Sequence, residues 1–361
     1  MDLNYTFNWP MLDTVAGGKS VLDIPGLEID DEDKANLFLL SYGFDIHNEE
    51  DQKRLWYYHR RAIVLVTEKL NYPVYEIPEI LVDRKKLQDI RKLLYFSSPK
   101  NAASPDYQRW SCAILKCMHV FVHSENDMFS NFSEDIQSQV LSDFQKSIYH
   151  NGESNTKYLK TETGTLPAVE LIDFQYKPFK TSSSTVIKLL ARPDALAMKV
   201  FDKLGVRFVV KNVYDVFSVL RFLLENSVIS FPHIMPDQSS NNLCPVKLFR
   251  ESLEQYKYNN NGAEDFNAFF IRHLESNRQE YEIIRKFNQQ THDEFRFIKF
   301  ITRKLIHINK DGKRMYSFFY PYEVQIMDEV SYQKVISGPS SHDSYKERQK
   351  ESARNRLFSR T

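Results

Sequence analysis

The chain has few of the features that mark secreted, membrane-spanning or strongly charged proteins. Only three cysteines occur in 361 residues, none spaced as Cys-x-x-Cys, so free thiols in a reducing compartment are the simplest interpretation. Lys plus Arg equals Asp plus Glu, 48 each, so a nucleic-acid partner would need a local basic patch. No apolar run approaches the roughly 18 residues of a membrane span, and the first residues do not resemble a signal peptide. A cytoplasmic protein without a membrane segment is therefore expected.

The first part of the chain has a helical pattern. Phe and Tyr are abundant, 26 and 20, which indicates substantial cores. After an irregular start, apolar residues recur at helical spacing from about residue 31 to 148. One segment, DDEDKANLFLLSYG, begins with acidic residues and ends at Gly43, as helices often do. Residues 1–150 are predicted to form an all-helical N-terminal region.

The pattern changes after residues 151–166, a polar stretch that predicts a linker or a long hairpin. AVELIDFQY and LGVRFVV have strand character, and the helical pattern YDVFSVLRFLLENS follows the second. VISFPHI predicts a short strand, EFRFIKFITRKLIHI alternates over two strand lengths, and DGKR predicts a turn before the strand MYSFFYPYEVQIMD. The fold class expected is α+β, with a mixed sheet flanked by helices.

The remaining segments complete the expected domain organisation. A short helix, SYQKVISG, follows the last strand. Residues 246–290 return to a helical pattern and predict an insertion within a domain spanning residues 165–347. The basic tail, residues 348–361, predicts a frayed helix or disordered end, with RNA binding as a further alternative.

Two of the predicted strands carry a charged residue in an apolar setting. Arg207 lies within LGVRFVV, and Glu323 lies within YPYEVQIMD. Burying a charge costs several kcal/mol unless it is paired. The two residues are therefore either a structural ion pair or part of a cleft that binds a charged ligand or a metal, and the pattern leaves both interpretations open.

Three short motifs in sequence order favour the cleft. Asp202 precedes the strand Gly-Val-Arg207 and a helix that contains Asp-Val-Phe; Glu323-Val-Gln325-Ile comes later, and His342 is followed by Tyr345-Lys346. Together they resemble the signatures of RelA/SpoT-type nucleotidyltransferases, the alarmone synthetases. The resemblance covers roughly residues 168–347 and implies a nucleotidyltransferase-like sheet domain.

The resemblance implies an activity and a cofactor. Enzymes of this family transfer pyrophosphate from ATP to the 3′-hydroxyl of a guanosine nucleotide, so ATP and a guanosine nucleotide are the implied substrates. Asp202 and Glu323 would hold Mg²⁺, with Glu323 also a candidate base for the hydroxyl. Arg207 would face a phosphate or Glu323 itself.

The resemblance also implies substrate-binding residues. These are Lys188, Arg192 and Lys199 for ATP; Phe295, Arg296 and Lys299 on the acceptor strand; and Gln325, His342 and Lys346 from the later motifs. The acceptor strand departs from the family pattern, because Phe295 stands for a tyrosine and Lys299 for a histidine. Two alternatives therefore stay open: pyrophosphate transfer to another acceptor such as tRNA, and a non-catalytic nucleotide sensor on the same fold.

Other motifs have plainer interpretations. GGKS at residues 17–20 resembles the end of a P-loop but lacks the preceding strand and the first glycine. His119 and His123 are one helical turn apart with Cys112 on the same face, a pattern that can hold zinc but is more often part of a core or surface.

Overall fold

The computed structural model describes most of the chain and shows a mixed helix and sheet architecture. The described residues are 14, 16–17, 20–101, 104–125, 128–152, 156–161, 167–177, 182–192, 203–259, 265–277, 296–337 and 342–358. The helices are α1 (Glu32–Tyr42), α2 (Glu49–Val64), α3 (Glu79–Val82), α4 (Arg84–Leu87), α5 (Lys92–Phe96), α6 (Pro105–Glu125), α7 (Met128–Ser147), α8 (Ser182–Ala191), α9 (Val213–Glu225), α10 (Val246–Asn259), α11 (Phe266–Asn277), α12 (Glu329–Ser337) and α13 (His342–Phe358). None of these helices is both long and apolar enough to cross a membrane.

The strands form two sheets. They are β1 (Ile148–Asn151), β2 (Thr156–Leu159), β3 (Val169–Leu171), β4 (Asp173–Lys177), β5 (Gly205–Val210), β6 (Ile234–Asn241), β7 (Ile298–Lys310) and β8 (Lys313–Asp328). In the described part of the chain, β1, β2 and β3 form an antiparallel sheet, and a five-stranded sheet has the order β4-β5-β8-β7-β6. The pair β5–β8 is parallel and the other pairs of the larger sheet are antiparallel, so the expected mixed sheet is confirmed.

The chain divides into two compact units that are not continuous in sequence. The helical unit comprises Met1–Asp127, Thr181–Val200 and Lys346–Thr361, and the sheet unit comprises Met128–Lys180 and Phe201–Tyr345. The polar stretch at residues 151–166, taken from the sequence as the domain boundary, therefore falls within the sheet unit. Its hairpin alternative corresponds to the antiparallel pair β1–β2.

The helical unit begins with local signals that are visible in the sequence. The carboxylate of Asp31 accepts a hydrogen bond from the backbone N–H of Lys34 at 2.7 Å and caps α1. Gly43 ends the helix with φ of 102°, a backbone conformation that favours glycine. The predicted helix and both of its ends are confirmed.

The core of the helical unit includes distant parts of the sequence. Val186 and Leu190 of α8 and Leu357 of α13 join the buried cluster that contains Trp110 and Phe121. The helical alternative predicted for the tail is confirmed for residues 348–358, but the helix is packed and not frayed, because α13 places its few apolar side chains in this core. Ala353, for example, is completely buried.

Arg356 of α13 holds the end of α8. Its guanidinium donates to both carboxylate oxygens of Asp23, at 2.7 and 3.1 Å. It also donates to the backbone carbonyls of Leu190 and Arg192, at 3.2 and 2.9 Å. Because the last carbonyls of a helix lack partners within the helix, Arg356 acts as a cap supplied by another segment.

The sheet unit is built around the succession of strand and helix that the sequence predicted. The apolar residues of β5 pair with β8, and α9 follows after Asn212. Asp215 accepts from the backbone N–H of Asn212 at 3.1 Å, which forms one half of a capping box. Val216 and Phe222 of α9 are buried against β5 and β8 in the sheet core.

Two segments of the sheet unit show where the sequence was misleading and where it was informative. The strand predicted at VISFPHI is wrong in position: Phe231–His233 is a 3₁₀ turn, and β6 runs from Ile234 to Asn241 through polar residues. Edge strands tolerate such residues, including a proline, because one side of the strand makes no ladder bonds. The described part of the predicted insertion is helical, as α10 and α11, and Phe249 of α10 stacks on Phe217 of α9 with ring centroids 3.7 Å apart.

β7 and β8 form a long hairpin, and the predicted turn DGKR is confirmed at its tip. Asp311 and Gly312 both have positive φ, 51° and 73°. This combination is typical of the two-residue turns that match the twist of a hairpin.

Replacing Gly312 by Ala is expected to lower the free energy of unfolding by about 1 kcal/mol, because a Cβ is strained at positive φ. Urea unfolding of the full chain measures the change. Gly152→Ala is the matched control, since Gly152 has no positive φ and a Cβ added there would meet no atom within 4 Å. Equal stability of the Gly312→Ala variant and the native chain would contradict this account of the turn.

Candidate functional site

The five-stranded sheet has one apolar face and one polar face. Side chains alternate along each strand, so neighbours in register share a face. Val206, Phe208, Val324, Ile326 and Phe300 occupy one face and belong to the sheet core. The charged residues singled out in the sequence occupy the other.

A row of polar side chains crosses the polar face from β4 to β7. Gln175 is in register with Arg207, Arg207 with Gln325, and Gln325 with Lys299. Nε of Arg207 donates to the side-chain oxygen of Gln325 at 2.9 Å, and its NH1 group donates to that of Gln175 at 3.4 Å. The two glutamines therefore fix the orientation of the guanidinium.

Glu323 lies two residues before Gln325 on the same face. Its side chain is 4% exposed, and one carboxylate oxygen lies 3.4 Å from Nζ of Lys299. Its backbone N–H donates to the carbonyl of Leu204 at 3.0 Å, which fixes the strand at the start of β5. A buried carboxylate is thus held beside a cation that is still a third exposed.

Burial lowers the pKa of the Arg207 guanidinium, and the nearby carboxylate of Glu323 opposes that shift, as does Tyr332 where its hydroxyl is ionised. An arginine remains charged at any physiological pH in spite of such a shift. The polar face therefore combines one buried carboxylate with two cations, Arg207 and Lys299, at least one of which solvent can reach.

One end of the polar face is closed by α12. The amide of Gln175 donates to the hydroxyl of Tyr332, and the ring of Tyr332 packs on Val209, Phe297 and Met327. Gln175 and Tyr332 were missed by sequence reasoning. The alternation in AVELIDFQY could have placed Gln175 on a face, but the partner strand and register could not be read from it.

The predicted site residues divide into three groups. Arg207, Glu323, Lys299 and Gln325 are brought together on the polar face. Asp202, Lys199 and Phe295, the side chain of His342, and Gly18 and Lys19 of GGKS lie outside the described residues. The others are described but are not part of this row: Arg296 is exposed just before β7, and Lys188, Arg192 and Lys346 are in segments of the helical unit.

The two interpretations of the charged pair can now be compared with the contacts. Among the described residues, the ion pair of Glu323 is with Lys299, while Arg207 bonds to two glutamine side chains. The structural Arg207–Glu323 ion pair weighed from the sequence is not found among these contacts. Arg207 and Glu323 attract each other only over a longer distance across the polar face.

The residues present fit a magnesium ion that arrives with a nucleotide. In the described part of the chain, no group of three or more His, Cys, Asp or Glu side chains could hold a metal by itself. Protein sites for Mg²⁺ with nucleotides commonly supply one or two carboxylates and leave the other positions to phosphate oxygens and water. Glu323 is such a carboxylate, and Asp202 lies in sequence two positions before Leu204, whose carbonyl accepts from Glu323.

The histidine pair of the helical unit makes a different set of contacts. The rings of His119 and His123 are 4.4 Å apart between centroids, and Nδ1 of His119 bonds to the Tyr42 hydroxyl at 2.7 Å. Cys112 is buried, which raises the pKa of its thiol to about 11 and so disfavours the thiolate that binds metals. All three cysteines are described, and none is in a disulfide.

Stability of the helical unit is expected to fall as the pH falls from about 6.5 towards 4. Burial and the neighbouring His123 lower the pKa of His119 to about 4 in the folded chain, whereas an unfolded histidine titrates near 6.5. The unfolded state therefore takes up the proton first, and roughly 3 kcal/mol is lost across this window. His119→Gln should flatten the pH dependence measured by urea unfolding, whereas the exposed His47→Gln should not. An unchanged slope in His119→Gln would contradict the assignment.

The comparisons with known proteins give no family. No protein-family model matches the chain, and no curated protein matches it. The chain is similar to two crystal structures of small alarmone synthetase 1 from Bacillus subtilis, one of them bound to its product pppGpp, with 10% and 12% identity. The matches cover 52% of this chain and 73% and 72% of those chains, with a TM-score of 0.25 in both cases.

Proposed function

We propose that the polar face of the sheet unit transfers pyrophosphate from ATP to the 3′-hydroxyl of a guanosine nucleotide. The observation that supports this most is the buried Glu323 held beside Lys299 on the same face as Arg207. A carboxylate with two cations on the polar face of a sheet suits phosphoryl chemistry, which needs mainly positioning and charge neutralisation from the protein. The choice of ATP and a guanosine nucleotide as substrates rests on the resemblance of the motifs around Asp202, Glu323 and His342 to those of alarmone synthetases.

The proposed reaction assigns a role to each described residue. Glu323 accepts the proton of the 3′-hydroxyl, whose oxygen bonds to the β-phosphorus of ATP. The bond from that phosphorus to the oxygen bridging the α-phosphate breaks, and AMP leaves with that oxygen. Arg207, oriented by Gln175 and Gln325, and Lys299 neutralise the phosphate oxygens. Mg²⁺, held by Glu323 and Asp202, would add further charge neutralisation when it is bound.

The test is a product assay. The full chain is incubated with ATP labelled at the β-phosphate, Mg²⁺ and separate acceptors: GDP, GTP, ATP and a tRNA with a free 3′ end. AMP formed in equal amount to a labelled pyrophosphorylated guanosine nucleotide is expected. Transfer to tRNA alone would show that the acceptor is tRNA and not a guanosine nucleotide. Absence of AMP with every acceptor would contradict the enzymatic proposal.

A second candidate, a non-catalytic nucleotide sensor, is favoured by the contact between Glu323 and Lys299. The ammonium of Lys299 occupies one oxygen of the carboxylate that the reaction needs as a base, and a carboxylate stabilised by an ion pair is a weaker base. The same samples distinguish the two functions. A sensor shows an ATP-induced or GTP-induced rise in melting temperature without AMP, whereas the enzyme shows both.

A further inference from the structure

The β7–β8 hairpin carries an unusual charge for this chain. Residues 298–322 contain six Lys and Arg and a single acidic residue, Asp311, although the whole chain has 48 of each sign. Of the six, Lys299 is paired with Glu323 and Lys304 with Asp143. The hairpin is therefore a local basic patch in a chain without overall bias.

Aromatic and apolar side chains lie exposed among these cations. Arg303, Leu305 and Phe319 share the polar face of the sheet, because Leu305 is in register with Phe319 and Arg303 with Pro321. Phe319 is 47% exposed and Leu305 39%. Large apolar side chains clustered at a surface in this way are more typical of a binding site than of solvated hairpin.

These side chains are organised as a platform. The guanidinium of Arg303 lies over the ring of Phe319, 5.5 Å from its centroid. The ring of His233 meets Phe319 edge-on at 4.9 Å between centroids. The Phe319 ring is thus held by an arginine and a histidine, so a flat ligand could stack on it without the entropy cost of ordering a free side chain.

The platform continues towards a basic tip. A bulge puts Arg314 in register with Asn309 and so on the face of Phe319, while Lys310 and Lys313, the next pair, are on the opposite face of the tip; all four are exposed. Five residues of strand separate Phe319 from Arg314, which corresponds to roughly 17 Å. Stacking rings followed by a line of cations over this length match a polymer of bases and phosphates better than a mononucleotide.

We propose that this surface, named here the hairpin surface and formed by Phe319, Arg303, His233, Leu305 and Arg314, binds single-stranded nucleic acid. Bases stack on Phe319 and Arg303, and phosphates contact the cations of the tip. A second copy of the chain is a less suitable occupant, because two copies of one basic surface repel each other. The proposal does not depend on the transferase activity, since none of these five residues is among those assigned to the reaction.

The test is fluorescence anisotropy of the full chain with a labelled 12-nucleotide oligouridylate, the same length of oligothymidylate and the corresponding duplex, over a range of salt concentrations. Single strands are expected to bind more tightly than the duplex, whose bases are not free to stack. Phe319→Ala should weaken binding about tenfold, and Phe319→Trp should restore it. Arg303→Ala and Arg314→Ala should each reduce the slope of log affinity against log salt by about 0.7.

Matched control substitutions show whether a loss of binding is specific to the hairpin surface, or follows from changing any exposed residue or the transferase site. Tyr258→Ala removes another exposed aromatic side chain of the sheet unit and Lys257→Ala a neighbouring cation, and neither should change binding. Glu323→Gln should keep oligonucleotide binding while losing transfer, so the two proposals fail independently. Absence of binding, equal loss in the Tyr258 control, or a dimer in light scattering that Phe319→Ala converts to a monomer would each overturn the proposal.

Discussion

Replacing Glu323 by Asp is expected to reduce AMP formation at least about 100-fold while leaving the folded chain close to native stability. Shortening the side chain withdraws the carboxylate from the hydroxyl and phosphate positions, and loss of a positioned base commonly costs that factor or more. The negative charge beside Lys299 and Arg207 is retained, so the two cations keep a compensating partner. Initial rates of AMP release and urea unfolding followed by circular dichroism measure the two effects.

Glu323→Gln completes the comparison because it keeps the shape and removes the charge. It should lose transfer as well and should also lose about 2 kcal/mol of stability, since Lys299 and Arg207 are left without the buried carboxylate. Glu254→Gln, an exposed change of the same kind on α10, should alter neither quantity. If Glu323→Asp transferred pyrophosphate at the native rate, the carboxylate would be scaffold, and the sensor function would be the better proposal.

Arg356→Met is expected to lower the free energy of unfolding of the helical unit by about 3 kcal/mol. The guanidinium is 10% exposed and bonds to both oxygens of Asp23 and to carbonyls at the end of α8. Methionine fills a similar volume but leaves Asp23 and these carbonyls without the donor, and breaking a buried charged network costs this order.

Tryptophan fluorescence measures this loss selectively. Trp56 and Trp110 pack in the core of the helical unit, and the sheet unit contains no tryptophan, so the emission of these two side chains follows the helical unit during urea unfolding. Lys350→Met is the matched control on the same helix, because its pair with Glu347 is largely exposed and should contribute less than about 0.5 kcal/mol. Equal midpoints for the two variants would show that the Arg356 contacts do not stabilise the unit.

The sequence predicted those parts of the fold that depend on residues close to one another in the chain. The ends of α1, the succession of β5 and α9, and the turn at Gly312 depend on capping groups, apolar periodicity and backbone freedom within a few positions. β6 could not be placed in this way. Its polar residues take strand geometry because they pair with β7, a partner about 60 positions away in the chain.

The sequence predicted which residue types form the candidate site, but not which side chains contact one another in it. Arg207 and Glu323 attract notice because charges in apolar strands need an explanation. The row from Gln175 to Lys299 follows from the register of four strands, which no single segment encodes. For the same reason, the pairing of Glu323 with Lys299 rather than with Arg207 became visible only in the folded chain.

The division of the helical unit into three chain segments has a consequence for synthesis on the ribosome. The first segment, Met1–Asp127, leaves the ribosome before the sheet unit, but Lys346–Thr361 leaves it only after the sheet unit. Until α13 arrives, the surface that receives Ala353 and Leu357 has nothing from that helix to cover it, and such apolar surface is what chaperones recognise in nascent chains. A stop codon placed just before Lys346 would retain every residue of the sheet unit, yet it would damage the unit whose first segment is made before it.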